Sequence, residues 1–453
     1  MIVMKFGGTS VGIPEPFGIA VNQVLRLLPQ DPIVVVSALA GVTNQLVEFC
    51  QGGRAVRASV PGALRERHVH HARAIGLNPG CIEPELRALE EDLGRAGAAA
   101  VSPEARDRNL SHGERLAAGL FAAGLEALGV YAVAVDAGAA GLVTDDRFGA
   151  AHPLPESAEQ LRRSLARRPP LPVVTGFIGR TLDGRPTTLG RGGSDYSAAL
   201  VGAALGAEEI QIWTDTSGML SADPRIVPEA REVPRLSFAE ASELAYFGAR
   251  VLHPKTLLPA IDRQIPVRIL NTRHPEDQGS LIAAAAAADG SPWRVKSIAC
   301  KKGITAVTIV STRMLLAHGF LARVFEVFGR HHVVVDLVTT SEVSISVTVD
   351  DDSRLDAAIA ELEGIGNVEV RRGLAVVAAV GEGAPQHVGL AGHLFTLIGG
   401  IGVPVEMISQ GASRVNLSFV VREADADRVV RLLHRGLGLD VEAGVAGGFR
   451  DIN

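Results

Sequence analysis

Two glycine-rich loops, one at the start of the chain and one near its middle, constrain the fold and the chemistry most. Residues 2–10 read IVMKFGGTS, a short apolar strand that carries a lysine and ends in a glycine turn, and residues 187–195 read TTLGRGGSD. Glycine has no side chain, so backbone N–H groups in such loops can approach an anion closely. Lys5 and Arg191 add positive charge. Together the loops predict one site that holds a nucleotide phosphate against a second acidic substrate.

The bulk composition limits the classes of function. With 453 residues, 47% hydrophobic and 21% charged, we expect a globular protein of two or three domains. The net charge of −6 comes without blocks of like charge, which disfavours nucleic acid and membrane as partners. Three dispersed cysteines predict neither a disulfide framework nor a metal site and fit a cytoplasmic setting. We expect no leader peptide and no membrane span.

The first two-thirds of the chain alternates strand and helix signals. Buried parallel strands are predicted at 33–36, 130–135, 172–175 and 209–213, and helices at 116–125, 157–167, 197–205 and 238–251. The alternation predicts an α/β fold with a mainly parallel sheet sandwiched by helices. Ligands in such folds bind at the carboxyl ends of the strands. The polar or glycine positions that follow strands, and that we therefore place in one site, are Lys5, Ser37, Gly176, Thr214 and Asp215.

The pattern changes after an alanine-rich stretch at 283–289, which is typical of a linker or surface helix. Strands are predicted at 304–310, 333–338, 343–349, 374–380, 404–407 and 415–421, and helices at 319–330, 388–398 and 424–435. This order is an internal repeat of a β-α-β-β-α-β type. Two copies predict a paired regulatory module.

Two polar motifs allow more than one interpretation. The loop SALAGVTN at 37–44 serves equally well as a carboxylate site, through backbone amides and Thr43, or as a simple strand-to-helix turn. The motif SHGE at 111–114 offers a carboxylate for a substrate ammonium. It also fits a capping box, in which Ser111 caps a helix and Glu114 closes the box. We expect His112 to be structural.

The later motifs have equally plain alternatives. The turn GRGGSD precedes a helix, whose start suits an anion held by Arg191, with Asp195 orienting the acceptor or Lys5. The segment TDTSGMLSADPR at 214–225 would hold a nucleotide, although its DPR end fits a surface turn. Arg250 would reach a phosphate or complement a helix C-terminus.

Taken in order, these segments resemble the aspartate kinases of the amino acid kinase superfamily. The matching stretches are KFGGTSV at 5–11, SALAGVTN at 37–44, SHGE at 111–114, TTLGRGGSDYSAAL at 187–200, WTDTSGMLSADPR at 213–225 and FGARVLHPKTLLPA at 247–260. The C-terminal repeat resembles the tandem ferredoxin-like ACT modules of the same enzymes. The resemblance implies an amino acid kinase domain at 1–285 and ACT units at 298–372 and 373–453, which are interleaved in some members.

The resemblance also implies a reaction and a set of site residues. ATP, with Mg²⁺, would phosphorylate L-aspartate to 4-phospho-L-aspartate, the first step towards lysine, threonine and methionine. The implied catalytic residues are Lys5, Asp195 and Arg191. The implied aspartate ligands are Ser37, Thr43, Glu114 and Arg191. The implied nucleotide ligands are Lys5, Gly7, Gly8, Thr214, Asp215, Leu220, Arg225, Arg250 and Val251, with no metal ligand assigned. Leu220 replaces a tyrosine that is common in relatives, and Arg250 replaces a lysine.

The first ACT unit resembles the lysine-inhibited branch of the family. The implied L-lysine site, at an interface between subunits of a homodimer or tetramer, comprises Met314, Gly319, Phe320, Leu321, Val335, Asp336, Ser341 and Glu342. Asp336 would face an ammonium group, or would simply begin a turn. Threonine is an alternative effector. Two rival functions remain at this stage: a kinase of acetylglutamate, glutamate or carbamate, and an amino-acid sensor without turnover.

Overall fold

The structure of the protein, a computed structural model, describes residues 1–95, 100–166, 170–247, 252, 254–284, 293–314, 318–410 and 414–440. The described residues belong to two compact units. The first unit contains Met1–Met219, Pro234–Phe238 and Arg250–Ala286, and the second contains Leu220–Val233, Ala239–Ala249 and Ala287–Asn453. The second unit therefore includes two stretches from within the expected kinase domain of 1–285.

The first unit is built on a twisted, mainly parallel sheet. Its strands are β1 (Ile2–Phe6), β2 (Pro32–Val36), β3 (Ala132–Val135), β4 (Leu171–Thr175), β5 (Ile178–Arg180), β6 (Pro186–Thr188), β7 (Glu209–Thr214), β8 (Arg235–Ser237), β9 (Val267–Asn271) and β10 (Ser280–Ala283). Eight of them form one sheet in the order β3-β4-β2-β1-β7-β9-β10-β8, and β5 pairs with β6 in a separate hairpin. Only the β9–β10 pair in the large sheet is antiparallel.

The sequence pattern explains why β1 and β2 lie at the centre of this sheet. Every residue of both strands is buried, as expected for apolar runs that are covered on both faces, and Lys5 of β1 is the one charged residue among them. In contrast, β3 is an edge strand, so Val133 is 41% exposed although the sequence predicts a buried strand there. That prediction is wrong about burial because periodicity does not reveal which strand is at the edge.

Helices cover the sheet and fix the position of the strand ends. They are α1 (Gly8–Val11), α2 (Pro14–Arg26), α3 (Val42–Gln51), α4 (Arg54–Ala74), α5 (Glu83–Arg95), α6 (Pro103–Ala127), α7 (Glu156–Leu165), α8 (Gly193–Leu205), α9 (Phe238–Phe247) and α10 (Pro254–Arg263). From Ala239 onward α9 belongs to the second unit. On α6, the Phe121 ring stacks on Phe6 of β1 with centroids 5.2 Å apart. This packing fixes α6 beside the loop that follows β1.

The second unit contains an antiparallel sheet that both repeats share. Its strands are β11 (Ser297–Val310), β12 (Val338–Thr340), β13 (Ser344–Val349), β14 (Asn367–Val380), β15 (Met407–Ser409) and β16 (Asn416–Arg422), in the order β12-β13-β11-β14-β16-β15. Its further helices are α11 (Phe320–Arg330), α12 (Leu355–Leu362), α13 (Leu390–Gly400) and α14 (Glu423–Gly436). The long strands β11 and β14 run through both halves of the sheet.

Two hydrophobic cores lie in this unit, and their membership is not sequential. One core groups residues of 307–362. The other groups residues of 375–437 with Val295 and Ile298, which precede the first repeat in the chain. We therefore propose that the first ACT unit is inserted in the second, with 304–372 forming the inserted part.

Two predicted strands are wrong in their position. The strands predicted at 333–338 and 404–407 begin only at the last residue of each range, where β12 and β15 start. Residues 333–337 and 404–406 are irregular. The backbone N–H of Leu337 donates to the side-chain Oγ1 of Thr348 instead of to a neighbouring strand. A side chain thus replaces a ladder hydrogen bond, which apolar periodicity does not reveal. Among the described residues, no helix combines the length and apolar character that crossing a bilayer requires.

Candidate active site

A buried ion pair lies at the carboxyl edge of the first unit's sheet. Lys5, on the central strand β1, places its Nζ 2.6 Å from Oδ1 of Asp195 in the first turn of α8. The two side chains are only 9% and 14% exposed. A Cβ on Gly7 would lie 3.6 Å from the lysine Nζ, so glycine leaves this ammonium accessible from the loop. A charged pair held at a strand end is suited to receive an anion.

The loops after β1 and β2 lie against each other. The N–H of Ala40 donates to the carbonyl of Gly8 at 3.0 Å, and the N–H of Ser37 donates to the carbonyl of Phe6 at 3.1 Å. A Cβ on Gly8 would approach the carbonyl oxygen of Ala38 to 2.8 Å, closer than real Cβ atoms come. Glycine at this position is therefore required for the close approach, which brings Ser37 to the loop of Gly7 and Gly8.

Glu114 lies in the middle of a long helix and not at its start. Helix α6 begins at Pro103, where Oγ of Ser102 accepts the N–H of Ala105 at 3.2 Å. The hydroxyl of Ser111 donates to the carbonyl of Arg108 at 2.7 Å. The capping-box interpretation of SHGE is therefore wrong. The helix start was misplaced because the Ser102 cap lies about four turns before the apolar run at 116–125.

The carboxyl group of Glu114 is buried and half satisfied. The residue is 3% exposed as a whole, and Oε1 accepts the N–H of Ala38 at 3.2 Å. Oε2 is buried and has no hydrogen-bond partner within the described part of the protein. Burial raises the pKa of Glu114 to about 8, against the lowering effects of the Ala38 N–H and the Lys5 charge. A buried carboxyl with an unpartnered oxygen is suited to accept a hydrogen bond from a cationic group such as an ammonium.

His112, the neighbour of this motif, is structural. Its ring is buried, with Nδ1 2.5 Å from a carboxyl oxygen of Glu85 and Nε2 3.0 Å from one of Asp92. Both acidic residues lie on α5, so the histidine fastens α5 to α6.

Thr43 lies in the first turn of α3, at the end of the SALAGVTN loop. Gly41 precedes the helix with φ of 82°, a left-handed conformation that favours glycine. The loop is therefore a strand-to-helix turn, one of the two interpretations. The first N–H groups of α3 and the half-buried Thr43 hydroxyl remain compatible with carboxylate binding, the other interpretation.

The second glycine loop is held in place by a residue that the sequence analysis missed. Asp107 of α6 is fully buried and accepts the N–H of Gly149 at 2.8 Å and the N–H of Thr188 at 2.7 Å. The Thr188 hydroxyl donates to the same carboxyl at 3.0 Å. Asp107 precedes Ser111 and Glu114 at helical spacing, and a longer predicted helix would have revealed the shared face. Gly190 and Gly192, with φ of 78° and 70°, then lead into α8.

Arg191 is exposed at the tip of this loop. No ion pair or hydrogen bond of its guanidinium is present among the described residues, so the charge is available to an acidic ligand. On the opposite side of β1, the N–H of Gly7 donates to the carbonyl of Trp213 at 2.9 Å. This bond places Thr214 and the exposed Asp215 next to the first glycine loop. The Thr214 hydroxyl donates to a carboxyl oxygen of Asp215 at 3.2 Å.

The remaining nucleotide candidates belong to the second unit or lie outside the described residues. Leu220 and Arg225 belong to the second unit, where the Arg225 Nε donates to Oδ1 of its neighbour Asp223 at 3.0 Å. Arg250 and Val251 lie outside the described residues. A cavity of about 630 Å³ in the first unit is lined by Arg115, Asp136 and Arg180, among others, and by none of the site candidates.

The expected lysine-site residues surround the start of α11 and the β12–β13 turn in the second unit. Gly319 precedes α11 with φ of 75°, Phe320 is 2% exposed in the core, and Leu321 is 42% exposed. Met314 and Val335 pack against the same core. Ser341 closes the β12–β13 turn, with its N–H donating to the carbonyl of Ser344 at 2.9 Å, and Glu342 is exposed in that turn. The side chain of Asp336 is 3% exposed.

Comparison with known proteins places this geometry in a family. The model of the amino acid kinase family matches residues 1–271, and a model of the ACT domain matches residues 307–363 and 377–437. Aspartokinase 1, chloroplastic, of Arabidopsis thaliana is 39% identical over 96% of this chain and 79% of its own length. Lysine-sensitive aspartokinase 3 of Escherichia coli is 38% identical over 96% of this chain and 99% of its own length.

The chain belongs to the aspartokinases.

The aspartokinases are ATP-dependent kinases of aspartate, and the fold agrees with solved members. Escherichia coli aspartokinase III in complex with aspartate and ADP, described as the R-state, matches with a TM-score of 0.83 at 37% identity, covering 96% of this chain and 99% of that one. The same enzyme with lysine and aspartate, described as the T-state, matches with a TM-score of 0.78 at 37% identity, covering 97% and 99%. The aspartokinase fold, an α/β kinase domain followed by ACT domains, is thus confirmed.

Proposed function

We propose that the protein transfers the γ-phosphoryl group of ATP to the side-chain carboxylate of L-aspartate and forms 4-phospho-L-aspartate. The observation that carries this proposal is the buried Glu114 carboxyl, whose free oxygen lies near the Lys5–Asp195 pair in the same unit. The Glu114 carboxyl suits the ammonium group of the substrate, and Lys5 suits the phosphates.

The roles of the remaining residues follow from charge and position. Arg191 is free to pair with a carboxylate of aspartate, while Ser37 and Thr43 line the loop beside Glu114. Lys5 neutralises charge on the transferring phosphoryl group, with the amides of Gly7 and Gly8 alongside it. Asp195 holds Lys5 in position through the 2.6 Å contact. Thr214 and Asp215 would contact the nucleotide, as would Leu220, Arg225, Arg250 and Val251 by resemblance alone.

The chemistry needs positioning more than proton transfer. The attacking oxygen belongs to a carboxylate that is already ionised at neutral pH, so no general base is required. A bond forms from that oxygen to the γ-phosphorus while the bond to the β-phosphate oxygen breaks and ADP leaves. Both reactants are anions. The main task of the site is therefore to hold two negative groups together, which the lysine, the arginine and the glycine amides accomplish.

We propose that Mg²⁺ enters with the nucleotide. The described residues contain no group of three or more His, Cys, Asp or Glu side chains that could hold a metal ion by themselves. Mg²⁺ is typically bound through substrate phosphates with one or two carboxylates and several waters. Asp195, in the first turn of α8, and Asp215, directly after β7, fit that limited demand. When bound, the ion would neutralise charge on the phosphates.

We propose L-lysine as the inhibitor, bound in the first ACT unit with its ammonium facing Asp336. Support comes from the lysine-sensitive relative and from the nearly complete burial of this carboxyl. Met314, Gly319, Phe320, Leu321, Val335, Ser341 and Glu342 would complete the site, with Phe320 limited to its backbone because its ring is in the core. We further propose a homodimer or tetramer through the ACT units and a cytoplasmic location.

A trapping experiment tests the reaction. Hydroxylamine converts an acyl phosphate into a hydroxamate, so Mg·ATP with L-aspartate should give aspartyl hydroxamate and an equal amount of ADP. L-glutamate, N-acetyl-L-glutamate and carbamate, tested side by side, should give little or none. If the protein prefers one of these acceptors, that acceptor and not aspartate is its substrate. No product from any acceptor would leave an amino-acid sensor as the function.

A further inference from the structure

Helix α9 is fastened to the rest of the second unit by one face. Glu240, Glu243 and Tyr246 follow each other at intervals of three, which places them along one side of the helix. The fully buried Glu240 pairs with Lys296 at 3.0 Å. Glu243 accepts the side-chain amide of Asn416 at 2.5 Å. The third of these contacts, made by Tyr246, is with the proposed effector residue.

Two groups of the protein itself lie against Asp336, although its Oδ2 has no hydrogen-bond partner among the described residues. The Tyr246 hydroxyl donates to its Oδ1. Nζ of Lys301 lies 4.0 Å from its Oδ2 and 4.5 Å above the centre of the Tyr246 ring. The lysine ammonium is thus held between a carboxyl group and an aromatic face, the two environments that favour a cation most.

The group that occupies this place is chemically the same as the side chain of the proposed effector. Both are primary ammonium groups on a four-carbon stem. Lys301 also has an alternative partner, since its Nζ lies 2.7 Å from a carboxyl oxygen of Asp350. An incoming ammonium can therefore displace Lys301 towards Asp350 without leaving it unpaired. No second hydrogen bond of the Tyr246 hydroxyl is present among the described residues.

We propose that Tyr246 and Lys301 form an internal cap on Asp336, with which an effector ammonium competes for the carboxyl group. The inference rests on the proposed inhibition by lysine. It adds the contacts that set the lysine concentration needed for inhibition. A ligand that competes with an internal contact binds with its intrinsic affinity multiplied by the fraction of molecules in which the contact is broken. The cap therefore tunes the lysine concentration at which inhibition begins.

The position of Tyr246 links the cap to the kinase part of the sequence. It is in the last turn of α9, and Arg250 and Val251, which the resemblance assigns to the nucleotide, follow within five residues. Release of the Tyr246 hydroxyl when the effector binds would thus alter the end of the helix that leads to them. A ligand shifts a conformational equilibrium only through such a differential contact.

Removal of the tyrosine hydroxyl tests the cap. Tyr246→Phe keeps the ring beneath Lys301 and deletes the hydrogen bond to Asp336. The Kd for L-lysine, measured by calorimetry, and the lysine concentration for half-inhibition should both fall about tenfold, because the competing bond is lost. Lys301→Met, made separately, should act in the same direction. Tyr131→Phe is the matched control, since Tyr131 is 68% exposed in the first unit, and it should leave both values unchanged.

The outcomes separate this inference from the proposed function. Lysine inhibition that is present but equal or weaker in Tyr246→Phe would overturn the cap and leave the regulation intact. If the unmodified protein binds no lysine, the cap predicts that binding emerges in the two variants, and its absence in all of them would overturn the inference. Hydroxamate formation, measured in the same samples, tests the aspartate kinase reaction independently.

Discussion

Glu114 in the first unit and Asp336 in the second are both carboxyl groups removed from water, yet the groups around them differ. Glu114 is 3% exposed as a whole residue, and the side chain of Asp336 is 3% exposed. Burial is the main cause that raises the pKa of each carboxyl group, to about 8 and about 7 respectively. Each keeps one oxygen without a hydrogen-bond partner among the described residues, Oε2 of Glu114 and Oδ2 of Asp336. Asp336 differs in that the Tyr246 hydroxyl donates to its Oδ1 and the Lys301 ammonium lies 4.0 Å from its Oδ2.

The difference teaches how one chemical group serves two purposes. A substrate site gains from a carboxyl that is held ready and unpaired, because the ligand meets no internal competitor. A regulatory site gains from an internal competitor, because the competitor sets the concentration at which the ligand acts. The following predictions test that contrast, from the largest expected effect to the smallest.

The largest effect should come from the open carboxyl. Glu114→Gln keeps the shape and removes the charge that faces the substrate ammonium, so kcat/KM for aspartate should fall about 100- to 1,000-fold. Steady-state ADP release measures the change. Glu126→Gln is the matched control on the same helix, where the side chain is exposed. A loss of similar size in the control would show that α6, and not the ammonium site, had been disturbed.

A smaller effect should come from the capped carboxyl. Asp336→Asn removes the charge that faces the lysine ammonium, so the lysine concentration for half-inhibition should rise about 10- to 100-fold. The expected change is smaller than at Glu114, because lysine binding to the unmodified site is already weakened by the free energy needed to displace the cap. Asp351→Asn changes an exposed carboxyl nearby and serves as the control. The same lysine concentration for half-inhibition in both variants would show that Asp336 does not contact the effector.

The pH dependence of aspartate binding distinguishes the two sites further. With its pKa raised to about 8, Glu114 is mostly protonated at neutral pH and becomes ionised as the pH rises. Only the ionised form attracts an ammonium group, so the KM for aspartate should fall about tenfold for each unit between pH 6 and pH 8. Initial rates in a constant-ionic-strength buffer series measure it. A flat profile in that range would contradict the assignment of Glu114.

The smallest effect concerns stability. The pKa of Glu114 is 4.5 in its ordinary state and about 8 when folded, so between these values the folded state binds a proton that the unfolded state has released. Stability therefore decreases as the pH rises from 4.5 to 8. Glu114→Gln should remove this loss and raise the Tm at pH 8 by a few degrees, about 1–2 kcal/mol, while Glu126→Gln should not. Thermal scans at pH 5 and pH 8 show whether the gain is confined to high pH.

Much of the first unit could be predicted from the sequence because its strands are short, apolar and uninterrupted. The strand ends also located Lys5, Ser37 and Thr214 at one edge of the sheet. Asp107 could not be found in this way, since its role depends on backbone groups of two distant loops. The start of α6 was misplaced because the sequence around Ser111 resembles a helix cap, whereas the true cap is Ser102.

The second unit shows what sequence periodicity leaves out. The repeat of strands and helices was visible, but the irregular stretch before β12 was not, because the side chain of Thr348, and not a strand backbone, accepts the Leu337 N–H. The partners of Asp336 were equally hidden. Tyr246 and Lys301 are 90 and 35 positions away in sequence, and neither belongs to a recognisable motif. Long-range side-chain pairs of this kind emerge only when the fold brings them together.

Succinate, which is aspartate without its ammonium group, gives the most direct test of the central claim that the free oxygen of Glu114 receives the ammonium. Hydroxamate formation from aspartate and from succinate would be measured for the unmodified protein and for Glu114→Gln. The unmodified protein should prefer aspartate by about 100- to 1,000-fold in kcat/KM, and the variant should lose most of that preference. An undiminished preference in the variant would contradict the account, because another group would then be holding the ammonium.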